Sequence, residues 1–344
     1  MRDCHVSSDY DTIVNAYVAR ANSQMAQIAG WLGKHDEAAR FSATAASIRA
    51  ALNRRSWDPS QRMFCDGVCA PEMLAADVQN SPSVRGWTNH SSWHTQVFLL
   101  AFDLVDGDIQ RQATFESIKS RLNGQGSIPR KCPQPPSAHP QGKWPSPDDG
   151  MPGNVYAANF ALQALFKFDR DHGHTAIALL TSDRKNSWLG QIESGATTTK
   201  EAWDVDEKPN LTWSHPWGAS PAAMIPTFLL GLVATQPGFS SVRISPQLGN
   251  LTQAAGTIPT VRGPVKIAVT QPEGNPLRMK LQVVLPGGMA AELRLPAAQS
   301  EAPAMDGRAP MVCVNGVYVL GTNHGHLVSV TAVQGTVSAS LKCE

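Results

Sequence analysis

Apolar positions in the first part of the chain recur at helical spacing. Val14, Val18, Ala21, Met25, Ile28 and Leu32 step by three and four, which predicts a helix over 11–32. Gly33 follows as its cap, because glycine takes a left-handed conformation at little cost. From Asp36 the pattern repeats through Ala38, Phe41, Ala45, Ile48 and Leu52. The short Gly-Lys-His link makes the two helices an antiparallel pair, and Trp57-Asp58-Pro59 ends the second. Residues 60–88 are loop-rich. Trp93, Val97, Leu100 and Leu104 predict a third helix over about 91–105, and Ile118 and Leu122 a fourth over 108–122. The stretch 123–153 is dense in glycine and proline, which excludes helix and central strand. Helical spacing returns at Asn154 with Val155, Ala158, Leu162 and Leu165, and shorter pieces follow at 172–181 and 186–193. Ser220-Pro221 reads as an N-cap with proline at the first helical position, opening a helix to about Leu232 kinked at Pro226.

Near residue 240 the period changes from about four to two. Val242 and Ile244, then Val265, Ile267 and Val269, alternate with polar neighbours. Leu277, Met279, Leu281, Val283 and Leu285 alternate with Arg278, Lys280 and Gln282, the pattern of a half-buried strand. Further strands are predicted near 291–295, 311–320, 326–333 and 336–342. The expected organisation is a helical domain over 1–236 and a small antiparallel β-sandwich over 237–344.

The chain has 344 residues and a formal net charge of +1, with charged residues at 17%. Neither a basic patch nor an acidic run stands out, so nucleic acid and membrane partners are not expected. No apolar run reaches membrane-spanning length, and Met1-Arg2-Asp3-Cys4-His5 has no apolar signal core. The compartment stays open. The six cysteines are scattered and form no disulfide framework, although Cys65 and Cys69 could close a small loop in an oxidising compartment. The sequons at Asn89, Asn210 and Asn250 matter only in a secreted protein. Nucleotide-binding loops, a GxSxG elbow, HExxH and CxxC are all absent from the sequence.

One region concentrates reactive groups. It runs from Ser194 through Thr197-Thr198-Thr199-Lys200-Glu201-Ala202-Trp203-Asp204 to Thr212-Trp213-Ser214-His215-Pro216-Trp217-Gly218. All nine tryptophans lie before residue 218. Glycoside hydrolysis needs two carboxyl groups, one protonating the leaving oxygen and one activating water or attacking. It also uses flat aromatic faces against the C–H face of a sugar. Glu201, Trp203, Asp204, Trp213, His215 and Trp217 supply those types within a short span. The competing reading is a loop in which threonines cap, carboxylates are solvated and tryptophans pack. Glu207 reads as solvated, and Asp204 as either a hydroxyl ligand or a cap. His90 and His94 stand one helical turn apart without a third ligand in phase, so neither metal nor cofactor is expected. Trp144, Asp148 and Asp149 lie in the proline-rich stretch, as a cleft wall or a surface anchor.

These motifs resemble the C-terminal part of an α-L-rhamnosidase of glycoside hydrolase family 78. The similarity is carried by Gly195-Ala196-Thr197-Thr198-Thr199-Lys200-Glu201-Ala202-Trp203-Asp204 and Ser214-His215-Pro216-Trp217-Gly218-Ala219-Ser220-Pro221. Asn89-His90-Ser91, Ile244-Ser245-Pro246-Gln247 and Pro259-Thr260-Val261-Arg262-Gly263 extend it. The resemblance implies a partial (α/α)6 toroid of antiparallel helix pairs followed by a small β-sandwich. It also implies removal of terminal α-L-rhamnose with inversion, on a rhamnose-containing glycan or glycoside. By the same resemblance Glu201 is the general base and His215 contacts the sugar, while Trp203, Asp204 and Trp217 are further substrate-binding candidates. The family's general acid lies in an earlier segment, and about eight helical pieces are legible against the twelve of a closed toroid. The N-terminal part of the toroid is therefore expected to be missing, and Asp3-Cys4 stands where the family usually has Asp-Trp. Two further readings accompany this one. They are a catalytically silent carbohydrate-binding or structural remnant, and a toroid glycosidase acting on a different sugar.

Overall fold

The computed structural model describes residues 5, 7–70, 86–122, 151–168, 173–205, 208–272, 280–295, 304–305, 312–313, 317–321, 327–331 and 337–342. Trp144, Asp148, Asp149, Glu207 and Asp3-Cys4 lie outside the described residues. Contacts divide the chain into two units, 1–168 with 179–219, and 169–178 with 220–344.

The first unit opens with α1 (Thr12–Trp31) and α2 (His35–Arg55), which pack along each other. Asp11 caps α1 by accepting the Val14 N–H at 3.0 Å, and Gly33 turns the chain at φ +71°. Short strands β1 (Trp57–Asp58) and β2 (Met63–Phe64) pair antiparallel. Strands β3 (Val68–Cys69) and β4 (Trp87–Thr88) pair parallel. Cys65 and Cys69 are joined by a disulfide. Then come α3 (Trp93–Ala101), α4 (Asp108–Leu122) and α5 (Val155–Phe168). The division falls within helix α6 (His174–Leu180), and α7 (Trp188–Glu193) leads to the site.

All nine residues of α3 are buried, so this helix is the axis of the unit. It contacts α1, α4 and α5. Phe98 and Phe102 meet Tyr17 of α1 and Phe160 of α5 at ring separations of 4.8–5.4 Å. Burying such a side chain stabilises the fold by about 1.5–3 kcal/mol.

The helix boundaries follow the sequence expectation closely, but the apolar stripe of α1 does not turn inward. Val14, Val18, Met25, Ile28 and Leu32 are 42–67% exposed, whereas Ile13, Ala16, Ala19 and Ala29 are buried. The inward face is built mostly of small residues, which a search for large apolar side chains underweights. The expected helix from Ser220 is also shorter. An α-helical piece, α8 (Ser220–Met224), passes into a π-helical turn over Ile225–Leu229, and Leu232 already lies in a strand. Pro226 has no amide hydrogen to continue the ladder. Gly231, at φ +79°, then turns the chain where a Cβ would overlap the Ser245 backbone.

The second unit holds two sheets. The strands are β5 (Leu232–Ala234), β6 (Ser241–Ile244), β7 (Gln253–Ile258), β8 (Val265–Thr270), β9 (Lys280–Val284), β10 (Ala290–Leu295), β11 (Ala304–Met305), β12 (Val312–Cys313), β13 (Val317–Gly321), β14 (Leu327–Thr331) and β15 (Val337–Lys342). One sheet runs β12-β13-β15-β10-β6-β5 and the other β11-β14-β9-β8-β7. The five-stranded sheet is antiparallel throughout. In the six-stranded sheet β10 pairs parallel with β6, and β13 with β15. Val242, Ile244, Val265, Ile267, Leu281 and Val283 form the core with the alternation expected of them. Strands β5 and β7 were not legible in the sequence. Gln253-Ala-Ala-Gly-Thr-Ile carries one large apolar residue, and the register is imposed by its partner β8. No helix among the described residues is long and apolar enough to cross a membrane.

Candidate active site

The site lies in the first unit, where 197–201 and 212–216 run side by side in opposite directions. The Glu201 N–H donates to the Thr212 carbonyl at 3.0 Å, and the His215 N–H to the Thr199 carbonyl at 2.8 Å. The threonine run has a defined task here. Thr198 Oγ1 donates to the Trp213 carbonyl at 2.6 Å and Thr199 Oγ1 to the His215 carbonyl at 2.8 Å. The hydroxyls thus lock the two stretches together where no regular strand ladder forms. Gln191 of α7 fixes the near side by accepting the Lys200 N–H at 3.0 Å. Gly218 closes the far side, because a Cβ there would stand 2.9 Å from the Lys200 carbonyl oxygen.

Glu201 is 16% exposed at its side chain. Its Oε2 accepts from Lys208 Nζ at 2.7 Å, from the Thr212 N–H at 3.0 Å and from Thr212 Oγ1 at 3.1 Å. Among the described residues its Oε1 has no hydrogen-bond partner. The Lys208 bond, then those from Thr212, hold the carboxyl down to about 2. The group is therefore ionised at neutral pH, with one oxygen clamped and the other open.

His215 and Trp217 meet edge to face with ring centroids 4.7 Å apart. Trp217 is 45% exposed and its ring also lies 5.1 Å from Tyr156 of α5, whose hydroxyl reaches that of Tyr17 at 3.0 Å. The Nε2 of His215 is buried and makes no hydrogen bond among the described residues. Trp213 is 47% exposed, and Lys200 Nζ sits 5.0 Å from its ring centre. Lys200 is buried and donates to Ser194 Oγ at 2.7 Å. Burial pulls its ammonium below the usual range, against the opposing charge of Asp204.

The other two sequence candidates are placed differently. Trp203 is 1% exposed, so it offers no face to a ligand. Its indole N–H donates to the Gly153 carbonyl at 2.7 Å and its ring meets Trp188 at 5.4 Å, which makes it the support beneath the loop. Asp204 forms an ion pair with Lys185 at 2.6 Å. Lys208 and Tyr156 were missed. Lys208 falls in a polar loop that reads as solvated, and Tyr156 reads only as part of a helix. Their approach to the site is tertiary and leaves no local signal.

A second carboxylate lies elsewhere in the unit. Asp66 is fully buried between β2 and β3. Its Oδ1 accepts from the Ser92 N–H at 2.8 Å, from Ser92 Oγ at 2.7 Å and from Thr95 Oγ1 at 2.7 Å. His90 Nδ1 lies 2.6 Å from Oδ2, and His5 Nδ1 3.5 Å from Oδ1. Burial pushes the Asp66 carboxyl up, but the bonds and charges of His5 and His90 outweigh it and leave it far below the carboxylate range. His90 is thus engaged at the start of α3. Among the described residues no group of three or more His, Cys, Asp or Glu suits a metal ion.

Helical hairpins are followed by a two-sheet unit, and a carboxylate is set among exposed indoles. Family comparison shows which proteins share this organisation. The bacterial alpha-L-rhamnosidase 6 hairpin glycosidase domain matches residues 1–128 and 151–229. The bacterial alpha-L-rhamnosidase C-terminal domain matches residues 231–308. The chain belongs to the bacterial α-L-rhamnosidase family. The first match skips 129–150, inside the glycine- and proline-rich stretch.

Solved structures share the fold. An α-L-rhamnosidase from Dictyoglumus thermophilum superposes with a TM-score of 0.63 at 17% identity, over 94% of this chain and 31% of that one. The Streptomyces avermitilis α-L-rhamnosidase, determined with L-rhamnose, gives 0.61 at 18% over 96% and 27%. The Aspergillus terreus enzyme gives 0.58 at 17% over 95% and 30%. The chain therefore spans about three tenths of the length of these structures. No curated protein matches the sequence.

Proposed function

We propose that this chain takes part in hydrolysing terminal α-L-rhamnosides with inversion, and that Glu201 is the general base. The observation that carries this reading is the Glu201 carboxylate itself, ionised, fixed at Oε2 and open at Oε1. An inverting base must hold a water on one face of the sugar and take its proton, which needs a lone pair in a fixed direction. Trp217 and Trp213 offer exposed faces for the C–H surface of the sugar, and His215 stands against Trp217. We assign His215 and Trp217 to rhamnose binding, Trp203 to support of the loop and Asp204 to its outer wall. We take 1–236 as the catalytic helical domain and 237–344 as an accessory β-sandwich.

A second reading has its own support. Of the two described carboxylates in this loop, Asp204 is already paired with Lys185, so the described residues of the loop offer no carboxylic acid to protonate a leaving group. That favours a catalytically silent chain, which binds rhamnosides without turning them over. The test is hydrolysis of 2,4-dinitrophenyl and 4-nitrophenyl α-L-rhamnoside by the chain and by Glu201→Gln. Release of dinitrophenolate by the wild type, lost in the variant, with β-L-rhamnose as the first product by proton NMR, supports the proposal. Equal rates for the two proteins overturn the role of Glu201. Rhamnose binding without any turnover selects the second reading.

A further inference from the structure

We propose that Lys208 is a positioning residue for Glu201, holding one carboxylate oxygen with Thr212 so that the other faces the reacting water. The proposal rests on the assignment of Glu201 as base and adds to it the residue that aims it.

A glutamate side chain has three rotatable bonds and two equivalent oxygens. Left alone it samples many directions, and a misaimed base loses rate because proton transfer needs hydrogen-bond geometry in the transition state. Here the two oxygens are made unequal. Lys208 Nζ, the Thr212 N–H and Thr212 Oγ1 all converge on Oε2, at 2.7, 3.0 and 3.1 Å. Three donors leave that oxygen little capacity for a water, so the proton-accepting lone pair is on Oε1. Lys208 is itself anchored. Its N–H donates to the Asp204 carbonyl at 3.3 Å, and its carbonyl accepts from the Leu211 N–H at 3.0 Å. The turn therefore returns the ammonium to the carboxylate that lies seven residues earlier. The Lys208 side chain is 31% exposed, so a positive charge is delivered without deep burial. That charge favours the ionised form and keeps the base deprotonated under acidic conditions.

The test compares wild type, Lys208→Met and Lys208→Arg. Methionine keeps the length of the stem and removes the charge; arginine restores it. The first readout needs no turnover. The Glu201 side-chain carboxyl is followed by carbon-13 NMR between pH 2 and 7, its signal assigned with Glu201→Gln. In Lys208→Met its titration should move upward by about one pH unit or more, and Lys208→Arg should bring it back. The second readout is the pH profile of dinitrophenyl rhamnoside hydrolysis. The acid limb of kcat/KM should move with the titration, and kcat should fall severalfold with little change in KM. A Glu201 titration that stays in place in Lys208→Met overturns the proposal. So does an unchanged kcat with an unmoved acid limb. If the wild type hydrolyses no rhamnoside, the functional reading fails, and the titration alone decides whether Lys208 holds Glu201.

Discussion

Asp66 and Glu201 are both held ionised by neighbours, yet their oxygens are bonded in opposite ways. Asp66 has no exposed surface and is bonded at both oxygens, by two histidines, two hydroxyls and the Ser92 amide. Those partners come from the N-terminal loop and from the stretch between His90 and Thr95 that leads into α3, so the carboxylate ties separate parts of the chain together. It also sits at a helix start, where a negative charge is favoured. Glu201 is partly exposed, and its described donors all reach Oε2 from one neighbouring loop. A carboxylate saturated on both oxygens can only hold structure together. One that is clamped on a single oxygen keeps a lone pair for chemistry. A depressed pKa does not separate the two; the unused oxygen does.

The largest expected effect tests the structural half of that contrast. Asp66→Ala leaves His5, His90 and two hydroxyls without their acceptor in the interior. Breaking a buried ion pair by removing one partner costs about 3–5 kcal/mol. Thermal unfolding should show a large fall in Tm, and the variant should expose the protein to proteolysis. Glu201→Gln should leave Tm nearly unchanged. If both variants lowered Tm alike, the distinction between the two carboxylates would collapse.

The chemical half is tested by rate. Glu201→Gln should lower dinitrophenyl rhamnoside hydrolysis by about a hundred- to ten-thousand-fold, the usual contribution of acid–base catalysis. Asp66→Asn, if it folds, should keep a rate within about tenfold of wild type, because the bonds described for Asp66 run to His5, His90, Ser92 and Thr95 and not to the site. A loss on Asp66→Asn as deep as that on Glu201→Gln would show that the two carboxylates act as one unit.

The same contrast shows what the sequence could reveal. The helix boundaries were legible, because periodicity is local, and Glu201 and His215 stood out as candidates, because a motif is local too. The fate of each motif residue was not. Trp203 and Trp217 look alike in the sequence, but one is buried under the loop and the other stands in solvent. Only packing against Trp188 and Gly153 decides which. Asp66 gave no signal at all. Its meaning depends on His5 and Ser92, which are 61 and 26 residues away. The α1 stripe is the opposite case. The periodicity identified the helix correctly, while Val14, Val18 and Ile28 face outward, because alanines form the buried side.

A milder effect comes from pH. Burial pulls the His5 imidazole down, but Asp11 and Asp66 outweigh this and raise it from its ordinary 6.5 to about 10. A raised histidine contributes fully below its unfolded value and loses its contribution as pH rises through the folded one. The Asp66 contribution has the opposite sign, complete above the ordinary carboxylate range and lost as pH falls. Stability from this cluster should therefore be greatest between about pH 4 and 6.5. It should decline as pH rises toward 10. The check is the Tm difference between wild type and His5→Gln, which should be larger at pH 6 than at pH 9. A constant difference would mean that His5 is not charged in the folded protein.

The smallest effect separates the donors on Glu201 from one another. Thr212→Val removes the Oγ1 bond at 3.1 Å but keeps the backbone N–H at 3.0 Å. Lys208 is untouched, so most of the clamp remains. The carboxyl should then titrate only slightly higher than in wild type, since one neutral donor is lost and the charge stays. The rate should fall only a few fold, and Tm should hardly move, because the side chain is replaced by one of nearly the same shape. In the double variant with Lys208→Met the losses should exceed the product of the two single losses, because the last donor cannot hold the oxygen alone. Strictly multiplicative losses would mean that the donors act independently. Glu201 would then be oriented by its backbone position, and the single clamped oxygen would cease to distinguish it from Asp66.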